Sequence, residues 1–300
     1  MVLWNQSGSY NLKVITRATH RLLKLNFKRK ECPKMDTRLL KEAIEFYEQG
    51  NSMNKTAKTY HSTPQTLKKL FISNGIKIRN QKEQLILENM KRAKAINHNY
   101  FDKLTNENSY YLGFLGADGT VRKNRNEIKI GLSSVDLNFL EEFKEKLGLE
   151  RDIHNYQTNN GFNVSELLFS SAKIKEEIMK YGIIPNKTYI GLDLDLIPQQ
   201  FQLPFIKGFY DGDGSVVYNS NTKQVKLTFC SHTKKILEQI NNFFNNKGHI
   251  YSSQRTKNII YELDFSTLPS LDILKQFYEL DTPCLIRKYE KYLNILKLRQ

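Results

Sequence analysis

The chain has 300 residues, and 39% of them are apolar, so it is long enough for one large domain or two to three small domains with real cores. Its 46 Lys and Arg outnumber its 31 Asp and Glu and give a net charge of +15, a surplus typical of proteins that bind a polyanion.

Cys32, Cys230 and Cys284 are too scattered for a disulfide framework or a zinc site. No apolar run approaches the roughly eighteen residues of a membrane span. We therefore expect an intracellular protein that does not cross a membrane.

The first 35 residues form a basic segment, with no acidic residue between Met1 and Lys30. This composition suits an organellar transit peptide, a DNA-binding arm or a poorly ordered tail. We interpret residues 1–35 as a poorly ordered basic tail.

Residues 36–80 predict three short helices. Asp36 can cap the first helix, Ser52 begins the second, and Pro64 suits the first turn of the third, which ends at Asn74 and Gly75. Three such helices are typical of a helix-turn-helix, although similar units also bind proteins, and the basic charge favours DNA. The exposed polar residues of the third helix, which we expect to contact DNA, are Thr63, Gln65, Lys68 and Lys69. A linker helix is then predicted within residues 81–105.

The second part of the chain contains an internal repeat. Residues 110–119 read YYLGFLGADG and residues 205–214 read FIKGFYDGDG, so that Asp213 follows Asp118 by 95 positions. Each segment is an apolar, helix-compatible run that ends in an acid and a glycine. Two predicted hairpins and two predicted helices follow each segment in the same order. We therefore predict an α+β fold of tandem αββαββα repeats, over residues 106–200 and 201–300, preceded by the small all-α helix-turn-helix.

These segments resemble the two copies of the motif that names the LAGLIDADG homing endonucleases, and the resemblance covers about two thirds of the chain. It implies that the two motif helices pack at a pseudo-twofold interface and that each delivers one carboxylate to a shared metal site. The acids at the matching positions are Asp118 and Asp213. Gly113 and Gly208 would allow the two backbones to approach closely. Carboxylates suit Mg²⁺, and a two-metal site would assist hydrolysis of a phosphodiester.

The resemblance also assigns further residues and shows one departure. Lys187 and Lys288 match basic residues that contact the region of the scissile phosphate, with Arg287 as a close rival, although an ordinary solvated lysine is an equal alternative. Gly116 stands where the family often has an earlier acid, whereas the second copy has Asp211 there, which we expect to be structural. A backbone ligand next to the carboxylates is left unassigned.

The predicted hairpins would present alternate side chains to DNA. Two-stranded ribbons fit the major groove, where basic and amide side chains can read base edges or contact only phosphates. The candidates on the hairpins are Lys123, Arg125, Lys129, Lys223, Gln224 and Lys226.

Two motifs in one chain imply a monomer whose double-stranded DNA target is long and need not be palindromic. The resemblance thus predicts a Mg²⁺-dependent endonuclease that makes a double-strand break. The alternative is a DNA-binding regulator that does not cut, or an RNA-splicing maturase, on the same fold. RNA would be a partner only for the maturase.

Overall fold

A computed structural model describes residues 35–255 and 258–299 of the chain. The predicted basic tail lies outside the described residues except for Met35, and so does Cys32. The chain divides into two compact units between Glu88 and Asn89. None of the described helices is long and apolar enough to cross a membrane.

The N-terminal unit contains the three short helices that the sequence predicts: α1 (Thr37–Glu48), α2 (Met53–Thr59) and α3 (Pro64–Ser73). Each begins at a residue whose side chain accepts a hydrogen bond from the first turn: Asp36, Ser52 and Thr63. A small core holds the three helices together, and it is formed by Ala43, Tyr47, Ala57, Leu67 and Phe71.

A fourth helix, α4 (Gln81–Ala95), occupies the predicted linker. Asn80 and Glu83 cap its first turn reciprocally, because each backbone N–H donates to the other side chain at 2.9 Å. Leu85 and Met90, two apolar residues of this helix, are exposed.

The C-terminal unit begins its first repeat with the motif helix α5 (Asn106–Ala117). Strands β1 (Gly119–Val121) and β2 (Glu127–Ser133) follow, and a 3-10 turn (Ser134–Asp136) leads into α6 (Leu137–Lys146). Strands β3 (His154–Gln157) and β4 (Asn163–Ser170) and helix α7 (Ala172–Lys180) complete the repeat. The four strands form an antiparallel sheet in the order β1-β2-β4-β3.

The second repeat has the same order. A connection containing the short helix α8 (Lys187–Ile190) and a 3-10 turn (Leu194–Leu196) leads into the second motif helix, α9 (Gln199–Asp213). The further elements are β5 (Gly214–Asn219), β6 (Gln224–Ser231), α10 (Lys234–Phe243), β7 (Gly248–Arg255), β8 (Asn258–Phe265), α11 (Thr267–Glu279) and α12 (Ile286–Arg299). The sheet order is β5-β6-β8-β7. The predicted α+β fold of tandem αββαββα repeats is therefore confirmed.

The two motif helices pack directly against each other, and glycines lie where they cross. A methyl group placed on Gly113 would lie 1.9 Å from the Phe205 carbonyl oxygen, and one on Gly208 would lie 1.9 Å from the Tyr110 carbonyl oxygen. The contact is reciprocal, as expected for two related helices about a pseudo-twofold axis. It brings the C-terminal ends of α5 and α9 together.

The glycines that end the motif helices do not adopt a left-handed conformation. Gly214 is extended with φ −104°, and Gly119 is not at positive φ either. A methyl group on Gly119 would lie 2.5 Å from the Leu115 carbonyl oxygen, and one on Gly214 would lie 2.6 Å from that of Tyr210. Lack of space, and not backbone conformation, requires glycine here.

Candidate active site

Asp118 and Asp213 lie at the adjoining ends of the motif helices. Asp118 is the C-terminal cap of α5, and Asp213 is the last residue of α9. A methyl group on Gly212 would lie 3.2 Å from Asp118 Oδ2 and 2.2 Å from the Cβ of Ala117. The carboxylate of one motif helix therefore reaches the backbone that carries the other carboxylate.

Burial makes ionisation of both acids more costly. Burial raises the pKa of Asp118 to about 6, with a further contribution from the negative charge of Asp213. Asp213 is open to solvent on one side, yet the surrounding protein raises the pKa of its carboxyl as well. A divalent cation between two such carboxylates would relieve their repulsion.

The donor set fits a hard divalent ion. Two carboxylates lie together, with backbone carbonyls at both helix ends, and oxygen donors are what Mg²⁺ prefers. Among residues 35–255 and 258–299 there is no cluster of three or more His, Cys, Asp or Glu that could hold a metal. Two protein carboxylates are nonetheless enough for Mg²⁺, which is commonly held by one or two carboxylates together with water and substrate phosphates.

Lys187 lies beside this pair at the start of α8. Asn186 before it adopts a left-handed conformation with φ 61°, which turns the chain toward the motif helices. The Lys187 ammonium donates to the Ala117 carbonyl oxygen at 2.9 Å, and the residue is only 7% exposed. Burial lowers the pKa of Lys187, and the charges of Asp213 and Asp118 oppose this effect.

Lys288, in the first turn of α12, makes more hydrogen bonds than Lys187 does. Its ammonium donates to the carbonyl oxygens of Tyr210 at 2.6 Å, Asp211 at 2.8 Å and Gly214 at 2.7 Å. It also lies 4.5 Å from the centre of the Tyr210 ring. Burial lowers the pKa of Lys288 to about 8, and the nearby Asp211 opposes this. A cation at this position stabilises the C-terminal end of α9.

Each acid has its stronger cationic neighbour in the other repeat. Lys187 is the main group that lowers the pKa of Asp213, and Lys288 is the main group that lowers the pKa of Asp118. The electrostatic pairing is therefore crossed, and we call the pairs of Asp213 with Lys187 and of Asp118 with Lys288 half-sites. The hydrogen bonds run the other way, since Lys187 contacts the carbonyl that precedes Asp118 and Lys288 contacts the carbonyls of Asp211 and Gly214 beside Asp213. Each half-site needs residues from both repeats.

A cavity of about 180 Å³ opens next to the first half-site. Lys187 and Asp213 line it, together with Ala117, Cys230 and His232. His232, which packs edge-on against Tyr189 with ring centres 6.1 Å apart, did not stand out in the sequence, because an isolated histidine at a strand end carries no pattern.

Arg287, the rival of Lys288, forms an ion pair through its Nε, and its side chain is half exposed. Its Nε donates to both oxygens of Asp136, at 3.0 and 2.9 Å. Asp136 is buried and precedes α6 of the first repeat, whereas Arg287 lies in the first turn of the last helix of the second. This ion pair joins the two repeats, and no sequence pattern predicts it, because the partners are far apart in the chain.

Asp211 is structural in its contacts, as expected. It is 1% exposed, and its Oδ2 accepts hydrogen bonds from the Tyr110 hydroxyl at 2.6 Å and the Leu285 backbone N–H at 3.1 Å. It thus links both motif helices to the segment that leads to Lys288. Lys207, one turn earlier, is also buried and donates to Thr282 Oγ1 at 2.6 Å. A lysine and an aspartate spaced by four within an apolar helix are the signal that could have revealed this polar cluster.

The residues predicted to contact DNA from α3 are all on the surface. Gln65, Lys68 and Lys69 are exposed. Thr63 is exposed too, but its hydroxyl accepts the Thr66 backbone N–H at 3.2 Å and caps the helix. These residues share one end and face of α3, distinct from the buried Leu67 and Phe71.

The hairpin candidates differ in how free their charges are. Lys123, Lys223 and Gln224 are exposed at or beside the turns. Arg125 forms an exposed ion pair with Glu127 at 3.3 Å. The two candidates within strands lie in cross-strand ion pairs, Lys129 with Glu166 at 2.8 Å and Lys226 with Asp264 at 3.0 Å. Among these candidates in the described part of the chain, Lys123 and Lys223 are the charged residues without an ion-pair partner.

Comparison with known proteins finds relatives in sequence and in structure. A protein of Methanocaldococcus jannaschii without an assigned function is 28% identical over 207 residues, which are 65% of this chain and 72% of that protein. The intron-encoded DNA endonuclease ai2b of Dictyostelium discoideum is 26% identical over 163 residues, 51% of this chain and 61% of that endonuclease. The structure of the I-LtrWI LAGLIDADG homing endonuclease bound to target DNA aligns with a TM-score of 0.43 and 16% identity, over 68% of this chain and 91% of that one.

The family model of the LAGLIDADG-like domain matches residues 106–181 and 200–279. The two matched segments coincide with the two αββαββα repeats, and each contains one of the acids of the candidate site. The chain therefore belongs to the LAGLIDADG family, as a member with two motifs in a single chain.

Proposed function

We propose that the protein is a site-specific DNA endonuclease that makes a double-strand break by Mg²⁺-dependent hydrolysis of two phosphodiesters. The observation that carries the proposal is that Asp118 and Asp213 lie at the adjoining C-terminal ends of the motif helices, with Lys187 and Lys288 beside them. A divalent ion at the carboxylates would activate water and stabilise the charge of the transition state. Asp118 and Asp213 would hold and orient the ion. Lys187 would donate to the phosphate through the ammonium N–H groups that do not contact the Ala117 carbonyl oxygen.

The charge and symmetry of the chain support DNA as the substrate. A net charge of +15 favours a polyanion, and the exposed residues of the hairpin turns and of α3 offer cations and amides to it. Because the two repeats differ in sequence, a single chain would recognise a long target without twofold symmetry. The N-terminal helices would add contacts as a helix-turn-helix.

Selection of cleaved sites from a randomised plasmid library, with Mg²⁺ and with EDTA, tests the proposal. We expect one long site to be recovered with Mg²⁺ and none with EDTA. Asp118→Asn and Asp213→Asn should each abolish double-strand cleavage and keep most of the DNA affinity, since affinity comes mainly from phosphate contacts. Binding of one sequence without any cleavage by the unmodified protein would instead support a regulator. Full cleavage by either variant would remove these acids from the site.

A further inference from the structure

The turn between β1 and β2, residues 122–126, is exposed and cationic. It reads RKNRN, so it has three basic residues and no acid. Arg125 forms an ion pair with Glu127 at 3.3 Å, whereas Arg122 and Lys123 have no ion-pair partner in the described part of the chain. We call residues 122–126 the first hairpin turn. It offers at least two cations to an anion.

The first hairpin turn borders the candidate active site. A groove of about 340 Å³ lies between residues 119–123 and residues 184–189. Arg122, Lys123 and Lys187 line it, and no acid is among the described residues of its lining. The groove therefore leads from a lysine of the candidate active site to the first hairpin turn, and its charge suits the phosphates of a DNA strand.

The backbone of the first hairpin turn leaves several of its own acceptors unused. The Arg122 backbone N–H donates to the Glu127 carbonyl oxygen at 3.0 Å and closes the hairpin. Within residues 35–255 and 258–299, no backbone N–H donates to the carbonyl oxygens of Arg122, Lys123 or Arg125. Backbone hydrogen bonds alone therefore do not fix the conformation of this turn.

Lys175, in α7, supplies the missing donors. Its ammonium donates to the carbonyl oxygens of Arg122 at 2.9 Å, Lys123 at 3.2 Å and Arg125 at 3.0 Å. A lysine ammonium has three N–H donors, so all three are used. Lys175 thus fixes the backbone of the turn while the basic side chains of the turn stay exposed. It could reach a phosphate itself only by releasing one of these carbonyls.

The corresponding turn of the second repeat, residues 220–223, is fixed in a different way. It is a hydrogen-bonded turn, and the Asn219 side chain accepts two of its backbone N–H groups, at 3.0 and 3.2 Å. Lys223 is its one basic residue, and the Lys223 carbonyl accepts a hydrogen bond from Arg299. The turn with three basic residues is therefore the one that depends on a lysine from a helix.

We propose that the groove between the first hairpin turn and Lys187 binds the DNA backbone beside the candidate active site, and that Lys175 is a positioning residue for this contact. The inference deepens the proposed function and rests on it. Because Lys175 orders the turn in the free protein, DNA does not have to order it on binding. Arg122 and Lys123 then contact phosphates at a lower cost in conformational entropy.

The test measures binding of a DNA duplex that has been selected for binding from a random library. Fluorescence anisotropy in EDTA gives the affinity at several salt concentrations. Lys123→Met removes a phosphate contact and should reduce the slope of log affinity against log salt by about one. Lys175→Met should weaken binding by about tenfold with a much smaller change of slope, because the turn keeps its cations but must be ordered by the DNA.

Amide hydrogen exchange of the free protein measures the ordering directly. The Arg122 amide should exchange faster in Lys175→Met than in the unmodified protein, whereas the amides of Asn221 and Thr222 in the other turn should not change. Lys180→Met, at an exposed lysine of the same helix, is the matched control because it removes the same charge. It should change neither the affinity nor the exchange of Arg122.

The variants also define what would contradict the proposal. Unchanged affinity in Lys175→Met would overturn the positioning role. So would a slope reduced by about one with unchanged exchange, since Lys175 would then contact a phosphate directly. If Lys175→Met does not fold, Lys175→Gln, whose amide has two N–H donors, should show the same changes to a smaller extent.

The groove and the proposed function are tested separately. Affinity and slope in Lys123→Met equal to those of Lys180→Met would remove the groove from the DNA interface and leave the proposed cleavage intact. An unmodified protein that binds the selected duplex but cuts no DNA would overturn the nuclease, and the binding measurements would still decide on the groove. A protein that binds no duplex would overturn both.

Discussion

At the scale of single residues, the reciprocal glycine contact gives the sharpest prediction. A methyl group on Gly113 or Gly208 would lie 1.9 Å from a carbonyl oxygen of the other motif helix, so the helices must separate. We expect Gly113→Ala and Gly208→Ala each to lower the free energy of unfolding by about 1–3 kcal/mol or more, and the larger Leu at either position to abolish cleavage as well. Urea unfolding and a cleavage assay measure the two effects.

Gly131→Ala is the matched control for these variants. Gly131 lies in β2 outside the positive-φ region, and a methyl group there would meet no atom within 4 Å. This substitution should be neutral or slightly stabilising, because it reduces the freedom of the unfolded chain. Stability in Gly113→Ala equal to that of Gly131→Ala would contradict the close crossing of the helices.

The sequence is sufficient to select individual residues only where a pattern repeats. Asp118, Asp213, Gly113 and Gly208 stand at matched positions of two copies, and the structure brings them together. The three carbonyl acceptors of Lys288 were not predictable, because backbone oxygens have no sequence signature. For the same reason the crossed pairing of acids and lysines could not be derived from two segments taken separately.

At the scale of elements, α3 is the proposed recognition helix. Lys68→Ala with Lys69→Ala should weaken DNA binding and reduce the slope of log affinity against log salt by about 2, one for each lost phosphate contact. The melting temperature should not change, since both side chains are exposed. Fluorescence anisotropy at several salt concentrations measures the slope. An equal loss in Lys41→Ala, an exposed lysine of α1, would show a non-specific charge effect.

The ion pair between the turn before α6 and the start of α12 also makes a prediction. The Asp136 side chain is 5% exposed and that of Arg287 is 49% exposed. Arg287→Ala leaves a buried carboxylate unpaired and should cost about 1–3 kcal/mol, whereas Asp136→Ala leaves a solvated cation and should cost less. Urea unfolding of both variants measures the two losses of stability and ranks them. The reverse ranking would mean that the pair contributes through Arg287 packing.

Element types followed from hydrophobic periodicity and turn residues, and their order is confirmed. The differences are at boundaries: α9 begins at Gln199, before the predicted start of the second repeat, because Pro198 is tolerated as the residue that precedes the helix. The short α8 was not predicted, since one turn has too few residues for a periodic pattern. Strand β3 lies within a predicted hairpin, although its exposed side chains lack the alternation that marks a half-buried strand.

At the scale of the whole molecule, the chain divides into two compact units, and the proposed chemistry lies entirely in the second. Deletion of residues 1–80 should weaken DNA binding and shorten the footprint, but Mg²⁺-dependent incision should persist at high protein concentration. Footprinting and plasmid cleavage measure the two effects. A folded fragment without any incision would show that the N-terminal helices are needed for chemistry as well as for binding.

Because each half-site combines residues from both repeats, the centre depends on an unbroken backbone between the repeats. Lys187 precedes the second motif helix and Asp213 ends it, while Asp118 belongs to the first repeat and Lys288 to the last helix. A break in the backbone between Asn186 and Gln199 would leave neither piece with both complete half-sites. Activity would then depend on the encounter of two fragments and would rise with the product of their concentrations. The peptide connection therefore holds each repeat at a high local concentration relative to the other, and this concentration does not fall when the protein is diluted.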